Sequence, residues 1–276
     1  MREETHRHMT VVITGASRGL GLGIARYFAA RGWQVAATMR NPADASELAD
    51  LPNVRRYRLD VVDERSIAQA RDAIMQDFGR VDVLINNAGY GLFSLTETVP
   101  TSAVRGQLEV NFMGTVAVTQ AFLPILRKQG HGTLVSITSI LGHVTVPLST
   151  YYSASKFALE GYAEALAFEL APVGIRVRTV APGAFQTDFA GNRDQRKDFP
   201  DARYADLAAK ATQAFDDPKY FGDPAKVPPV VYRAATHPSP YFKRFFVGLD
   251  AKGFAWVRRW LGGAAARWVV RKYLKL

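Results

Sequence analysis

A phenol and an ammonium stand four residues apart in Tyr152-Ser153-Ala154-Ser155-Lys156. On a helix this spacing puts them on one face, one turn from each other. A free tyrosine releases its proton near pH ~10, too high for efficient exchange at neutral pH. A nearby ammonium favours the phenolate and lowers that value. Such a pair suits a general acid that serves as general base in the reverse direction. Tyr151 is adjacent, but it points about 100° away on a helix and breaks the spacing to Lys156. Upstream, Ser136 and Ser139 both lie near the end of an apolar run, where a hydroxyl can donate to an oxygen that gathers charge. The competing explanation is an accidental helical pair, since Tyr and Lys are common residues.

A second group of residues suits phosphate. The apolar run 11–14 (VVIT) leads into Thr14-Gly15-Ala16-Ser17-Arg18-Gly19-Leu20-Gly21. Gly15 allows a tight turn, and Gly19 and Gly21 allow the backbone to approach a pyrophosphate closely. The helix that follows presents unpaired N–H groups and a positive dipole end. The glycine spacing is wider than GxGxxG, but the loop lies between a buried strand and an amphipathic helix, which is the required context. A ligand-free glycine turn is the alternative. No side chain can donate a hydride, so redox chemistry here needs a bound cofactor to carry it.

Further residues fall in order along the chain: Asn86-Asn87-Ala88-Gly89, Asn111, Ser139, the YSASK stretch, Pro182-Gly183 and Thr187. Together with the glycine loop they resemble the short-chain dehydrogenase/reductase family, from Val11 to about Thr187. The stretches NNAGYGLF and SASKFALEG look most like its steroid- and retinol-dehydrogenase-like branch. The resemblance implies catalysis by Asn111, Ser139, Tyr152 and Lys156, with Ser139 rather than Ser136 at the family's distance from Tyr152. Tyr152 would be the acid/base, its pKa lowered by Lys156 and a positive nicotinamide ring. Lys156 would also hold the nicotinamide ribose, Ser139 would donate to the substrate oxygen, and Asn111 would hold a water linking Lys156 to solvent. The implied cofactor contacts are Gly15, Ser17, Arg18, Gly19 and Leu20 at the cradle, and Asp60 and Val61 at the adenine. Asn87, Ala88 and Gly89 would line the pocket, beside Tyr152 and Lys156. Pro182, Gly183, Phe185 and Thr187 would surround the nicotinamide, with Thr187 on its carboxamide. For Asp60, a helix cap competes.

The second apolar run, 35–38, ends in Met39-Arg40. An acid there would accept from a ribose 2′-hydroxyl and favour NAD. Arg40 and Arg18 instead offer two guanidinium groups, which suit a 2′-phosphate, so NADP(H) is the expected cofactor. The alternative is a solvated Arg40. The substrate pocket is expected between residues 90–93, 141–146, Phe185 and the segment after Thr187. Phe93, Ser139, Leu141, His143, Tyr152 and Phe185 are its expected contacts. These positions are mostly apolar or aromatic, which points to a hydrophobic ketone or aldehyde and the matching alcohol. His143 is the one titratable side chain there, and a lone loop histidine is more often just partly exposed. His6 and His8 have no carboxylate–histidine constellation beside them, so no metal is expected.

The elements that must hold these residues alternate in type. Strands are predicted at 11–14, 35–38, 54–59, 81–85, 133–138 and 175–180, with a seventh at 242–247. Helices are predicted at 20–31, 64–78, 102–128, 152–170 and 202–215, and at 225–235, where Pro228-Pro229 interrupts the pattern. Such alternation indicates an α/β fold: a doubly wound parallel sheet of the Rossmann type, seven strands with helices on both faces. Residues 1–250 form the catalytic domain in this reading, with 185–225 as a substrate lid. Residues 251–276 form a basic amphipathic extension, helical from 253.

Composition agrees with a folded enzyme. The 276 residues are 48% hydrophobic and 22% charged, which excludes intrinsic disorder. The absence of cysteine excludes disulfides and thiolate chemistry. The first ten residues are polar and no apolar run approaches the ~20 residues of a bilayer span, so a cytoplasmic protein is expected. Much of the net charge of +10 sits in 251–276, which holds Lys252, Arg258, Arg259, Arg267, Arg271, Lys272 and Lys275 and no acid. On a helix Val257, Trp260, Leu261, Ala264 and Trp268 share one face, and Arg267, Arg271 and Lys275 another. That is the pattern of a peripheral membrane anchor, or of a helix docked on its own body or a neighbouring subunit. Charge without a recognised motif gives no reason to expect a nucleic-acid partner. The family resemblance implies a homodimer or homotetramer through the helices carrying Asn111 and Tyr152. The combined expectation is an NADP(H)-dependent oxidoreductase. The alternatives are an NAD-linked alcohol dehydrogenase and a non-catalytic dinucleotide sensor, against which the intact Tyr152, Lys156, Ser139 and Asn111 argue.

Overall fold

Val11, Val12 and Ile13 are all fully buried, although successive strand side chains point to opposite faces. Such a strand needs an apolar layer on each side. The computed structural model, which describes residues 9–185, 194–195, 201–217 and 221–274, supplies both. Its strands are β1 (Thr10–Thr14), β2 (Gln34–Met39), β3 (Val54–Arg58), β4 (Val83–Asn86), β5 (Leu92–Phe93), β6 (Gly132–Ile137), β7 (Ile175–Pro182), β8 (Asp194–Gln195) and β9 (Lys243–Val247). Its helices are α1 (Gly19–Ala29), α2 (Glu64–Phe78), α3 (Thr101–Leu108), α4 (Gly114–Gln129), α5 (Thr150–Leu170), α6 (Arg203–Asp216), α7 (Val227–Thr236) and α8 (Leu249–Tyr273).

Seven strands form one parallel sheet in the order β3-β2-β1-β4-β6-β7-β9. On one face Ile24 and Phe28 of α1 and Val227 and Val231 of α7 pack on Val11, Ile13, Val35 and Val180. On the other, Ile74 of α2, Val118, Phe122 and Leu126 of α4 and Ala163 of α5 pack on Val12, Ala36, Leu84 and Leu134. The strand order reverses between β1 and β4, which opens a crevice beyond their carboxyl ends.

Four features differ from the sequence reading. Pro228 and Pro229 open α7 instead of interrupting it, because the first turn of a helix has no N–H partners to lose. The expected long helix is one run, Thr101–Gln129, widened by a π-turn at Glu109–Met113. It is long and apolar enough to cross a membrane, with mean hydropathy 1.2, yet Val118, Phe122 and Leu126 are buried in the core. β5 and β8 form a separate two-stranded pair, Leu92 opposite Asp194, too short to leave a periodic signal. The last helix begins at Leu249 and breaks at Gly262, where φ is 82°. Ala251, Ala266, Val270 and Leu274 are buried while Trp260 and Trp268 are exposed. A face drawn on an unbroken helix is therefore not the face that docks. The tail packs on its own body, with Ala251 and Ala266 joining Ile140 and Val144 in a third core.

Truncating Phe122, fully buried on α4, should destabilise the fold by about 3–5 kcal/mol. Phe168→Ala on the exposed side of α5 should change stability by no more than ~0.5 kcal/mol. Urea unfolding of the two variants tests which face carries the core.

Candidate active site

The glycine loop closes too tightly for side chains. Gly15 and Gly19 have φ of 66° and 55°, the left-handed region that favours glycine. A Cβ at Gly21 would stand 2.1 Å from the Gly15 carbonyl oxygen. The end of β4 is tied to this loop: Asn87 Nδ2 donates to the Thr14 and Gly15 carbonyls at 3.0 and 3.1 Å. Thr14 Oγ1 in turn accepts from the Asn87 and Ala88 amides at 3.0 and 3.1 Å. Among the described residues no side chain caps α1, so its first-turn N–H groups are available to an anion.

From this loop a cavity of about 640 Å³ runs along the carboxyl edge of the sheet. Gly15, Ser17, Arg18, Gly19, Leu20 and Arg40 line one end, then Asp60, Val61, Asn87, Ala88 and Gly89. Phe93, Ser139, Leu141, Tyr152, Lys156, Pro182, Gly183 and Phe185 line the other. Arg18 and Arg40 are exposed, and Met39 between strand and loop is buried. The cap of α2 is Asp63, which accepts from the Arg65 and Ser66 amides. Asp60 does not take that role; its Oδ1 accepts from the Val62 amide at 3.2 Å on the cavity wall. Thr187 lies outside the described residues, as does much of the expected lid.

Tyr152, Lys156, Ser139 and Asn111 are all buried. α5 carries Tyr152 and Lys156 on one face, with the ammonium 5.7 Å from the centre of the phenol ring. Lys156 Nζ donates to the Ile137 carbonyl at 3.0 Å. Phe93 packs on the phenol ring, 5.3 Å between centroids. Ser139 begins the turn after β6, and its Oγ accepts from the Leu141 amide at 3.1 Å. Burial pushes the Tyr152 phenol up to about 12, while its hydrogen bond with Ser139 pulls the other way. Burial pushes Lys156 down to about 8, opposed by the Glu160 carboxylate. A lowered phenol was the expectation; in the protein alone, removal from water outweighs the Ser139 hydrogen bond.

Asn111 sits in the π-turn, a distortion frequent at functional sites. Its side chain is committed to protein: Oδ1 accepts from the Tyr90 amide at 3.0 Å, and Nδ2 donates to the Tyr90 carbonyl at 2.9 Å and Ser155 Oγ at 3.1 Å. It thus joins the pocket loop to the helix of Tyr152. Gly89 faces the same space, where a Cβ would stand 3.0 Å from Asn111 Oδ1 and 3.8 Å from Lys156 Nζ.

His143 is a correction. The turn Ile140–Gly142 directs it away from the cavity lining, to within 3.2 Å of Glu160 Oε1 and against the Phe246 ring. Glu160, one turn beyond Lys156, is a buried carboxylate that sequence reading did not single out. Thr138 Oγ1 donates to it at 2.6 Å, Thr179 Oγ1 at 3.2 Å and Arg244 Nε at 2.9 Å. His143, Thr138 and Arg244 hold its pKa below the ordinary carboxylate value despite burial. The cavity also takes Phe221, Asp250, Phe254 and Leu274. Asp250 Oδ2 accepts from the Ala184 amide at 2.8 Å, and a Cβ at Gly183 would collide with it at 2.1 Å. No local pattern marks this acid, because Gly183 and Gly248, which it packs against, both precede it and meet it only in the fold.

Residues 9–198 match the model of a family described as short chain dehydrogenase. A 3-ketodihydrosphingosine reductase of Bacteroides thetaiotaomicron is 34% identical over 268 residues, covering 95% of this chain and 96% of that protein. Human 17-beta-hydroxysteroid dehydrogenase type 1 is 35% identical over 254 residues, covering 85% and 76%. A short chain dehydrogenase from Burkholderia cenocepacia, solved in complex with NADP, superposes with a TM-score of 0.75 at 26% identity, covering 98% and 99%.

Glu160→Gln should lower stability at neutral pH by about 1–3 kcal/mol, because it removes the buried charge that Thr138, Thr179 and Arg244 meet, while Arg244 keeps Glu164. The folded pKa of Glu160 is depressed, so its ionised form stabilises above the ordinary carboxylate range. That contribution is lost as pH falls through the depressed folded value. Thermal unfolding across acid pH should show the gap between wild type and variant closing in that window.

Proposed function

The chain belongs to the short-chain dehydrogenase/reductase family, and on that premise we propose that it reduces a hydrophobic ketone or aldehyde to the alcohol with NADPH. As a member it is an oxidoreductase acting on alcohol and keto groups with NAD(P). The observation that carries the finer reading is one cavity with Ser139, Tyr152 and Lys156 at one end and Arg18 and Arg40 at the other. The tight glycine loop with its free helix N-terminus fits a pyrophosphate. The two guanidinium groups, with no acid at the end of β2, fit a 2′-phosphate. The NADP complex of the Burkholderia protein supports the same cofactor. Apolar walls from Phe93, Leu141, Val144, Phe185 and Phe254 support a lipophilic substrate, as do the names of the Bacteroides and human relatives.

When bound, the reduced nicotinamide supplies the hydride. The side chains manage the proton and the charge. Ser139 donates a hydrogen bond to the substrate oxygen, and Tyr152 delivers the proton. A phenol pushed up to about 12 is protonated at neutral pH, the state that reduction needs. Lys156 stabilises the phenolate left behind, and the Ile137 carbonyl holds its ammonium in place. Phe93 fixes the ring plane. Asn111 positions the helix through Ser155, which donates to the Tyr152 carbonyl at 2.7 Å. Exposed Met113, Phe157 and Phe168 beside and on α5 support a homodimer or homotetramer on that side.

Tyr152→Phe should cut turnover by about 10²–10⁴-fold, read as NADPH oxidation with a panel of hydrophobic ketones; turnover that survives would refute the role. Arg40→Asp should lower the NADPH-over-NADH preference in kcat/KM at least ~10-fold, the worth of a hydrogen bond to a charged group. An unchanged preference would favour the NAD-linked reading. As pH rises through about 8, Lys156 loses its charge, so kcat/KM for reduction should fall there.

A further inference from the structure

The chain has four tryptophans, and three of them stand on α8 with 57% (Trp256), 67% (Trp260) and 61% (Trp268) of their surface exposed. Large aromatic rings left in water on one helix mark an interaction surface. Trp256 and Trp260 are one turn apart and project from one side of the first half of α8, flanked by exposed Lys252 and Arg259. Past the break at Gly262, Trp268 stands beside exposed Arg267, Arg271 and Lys272. The Arg259 guanidinium lies 5.6 Å from the Trp260 ring centre, and Lys272 Nζ lies 5.8 Å from that of Trp268. Leu249 and Leu261 are exposed as well.

Charge at the break carries the inference further. A Cβ at Gly263 would stand 3.1 Å from Arg258 Nη1 and 3.4 Å from Arg267 Nη1. Guanidinium groups from the two halves of α8 therefore converge on one spot. Among the described residues neither forms an ion pair, and residues 251–276 contain no acid. Converging like charges with no internal counter-ion are complementary to an external anion. Indoles interleaved with cations, on a helix whose other face is already docked, are the composition of an interfacial helix.

We propose that the outward face of α8 docks on a bilayer surface containing anionic phospholipid, with Trp256, Trp260 and Trp268 entering the headgroup region and Arg258 and Arg267 meeting lipid phosphates. The inner face of the same helix contributes Phe254 and Leu274 to the cavity wall. Docking therefore sets the cavity beside the lipid. The inference stands apart from the identity of the substrate and of the nicotinamide cofactor.

The test uses the full chain, because Asp250 and Ala251 at the start of α8 are packed into the body. Vesicles of phosphatidylcholine alone, or with about 30 mol% phosphatidylglycerol, are mixed with the protein, floated and scored for bound fraction. Tryptophan emission is followed in parallel; Trp33 is buried and contributes a constant background. The expected result is flotation and a blue shift with the anionic vesicles only, weakened by salt. Arg258→Glu with Arg267→Glu, and separately Trp256→Ser with Trp260→Ser and Trp268→Ser, should each lower partitioning at least ~10-fold. Both variants should keep the thermal midpoint and the turnover of a water-soluble ketone. No emission shift in the wild type, or equal binding to neutral and anionic vesicles, would overturn the proposal. So would retention on duplex DNA without vesicle binding.

Discussion

Lys156 is held out of water beside a phenol, its ammonium donating to the Ile137 carbonyl, with a carboxylate one turn further along α5. An isolated buried cation is expensive, and burial here lowers its pKa to about 8. Glu160 offsets part of that, but a buried carboxylate needs partners of its own. They come from four places: Thr138 after β6, Thr179 on β7, Arg244 on β9 and His143 in the turn that Ser139 begins. Thr179 and Arg244 are register partners across β7 and β9. A slip of one residue would turn both away from Glu160. The lysine thus ties the position of α5 to the register of three neighbouring strands.

The far end of the cavity is organised by backbone instead of charge. Asn87 and Thr14 bind the ends of β4 and β1 together around the loop of Gly15 to Gly21. The reversal of strand order leaves the same two ends unroofed. α8 then closes the other side: the Asp250 carboxylate sits between Gly183 and Gly248, where neither position has room for a Cβ. The last helix is part of the cavity wall on its inner face and a cationic, aromatic surface on its outer one.

Burial sets the proton chemistry as well as the shape. Both ends of the Tyr152–Lys156 pair shift toward their neutral forms, as desolvation requires. A neutral phenol is ready to give a proton away, whereas accepting one at neutral pH needs additional positive charge nearby. In the proposed reduction that neutral phenol is the proton donor.

Local spacing made much of this legible. The six main-sheet strands and four crossover helices before residue 185 follow from apolar runs and helical periodicity, and the parallel sheet follows from their alternation. The Tyr152–Lys156 pair is a matter of four residues on one helix, and the glycine loop one of eight consecutive residues. Other features depend on contacts between distant segments, which no local pattern encodes. His143 turns toward Glu160 because of the fold of the turn before it. Asn111 finds Tyr90 and Ser155 through a π-turn. Asp250, Phe254 and Leu274 reach the cavity from the far end of the chain. The docked face of α8 was misdrawn because one glycine at 262 breaks the helical phase. Sequence alone determined the chemistry available and the layers that carry it, since both arise from neighbours along the chain. Tertiary structure alone decided which charges are buried together, which face of the tail is free and which proton state the phenol holds, because those depend on what each group is removed from water against.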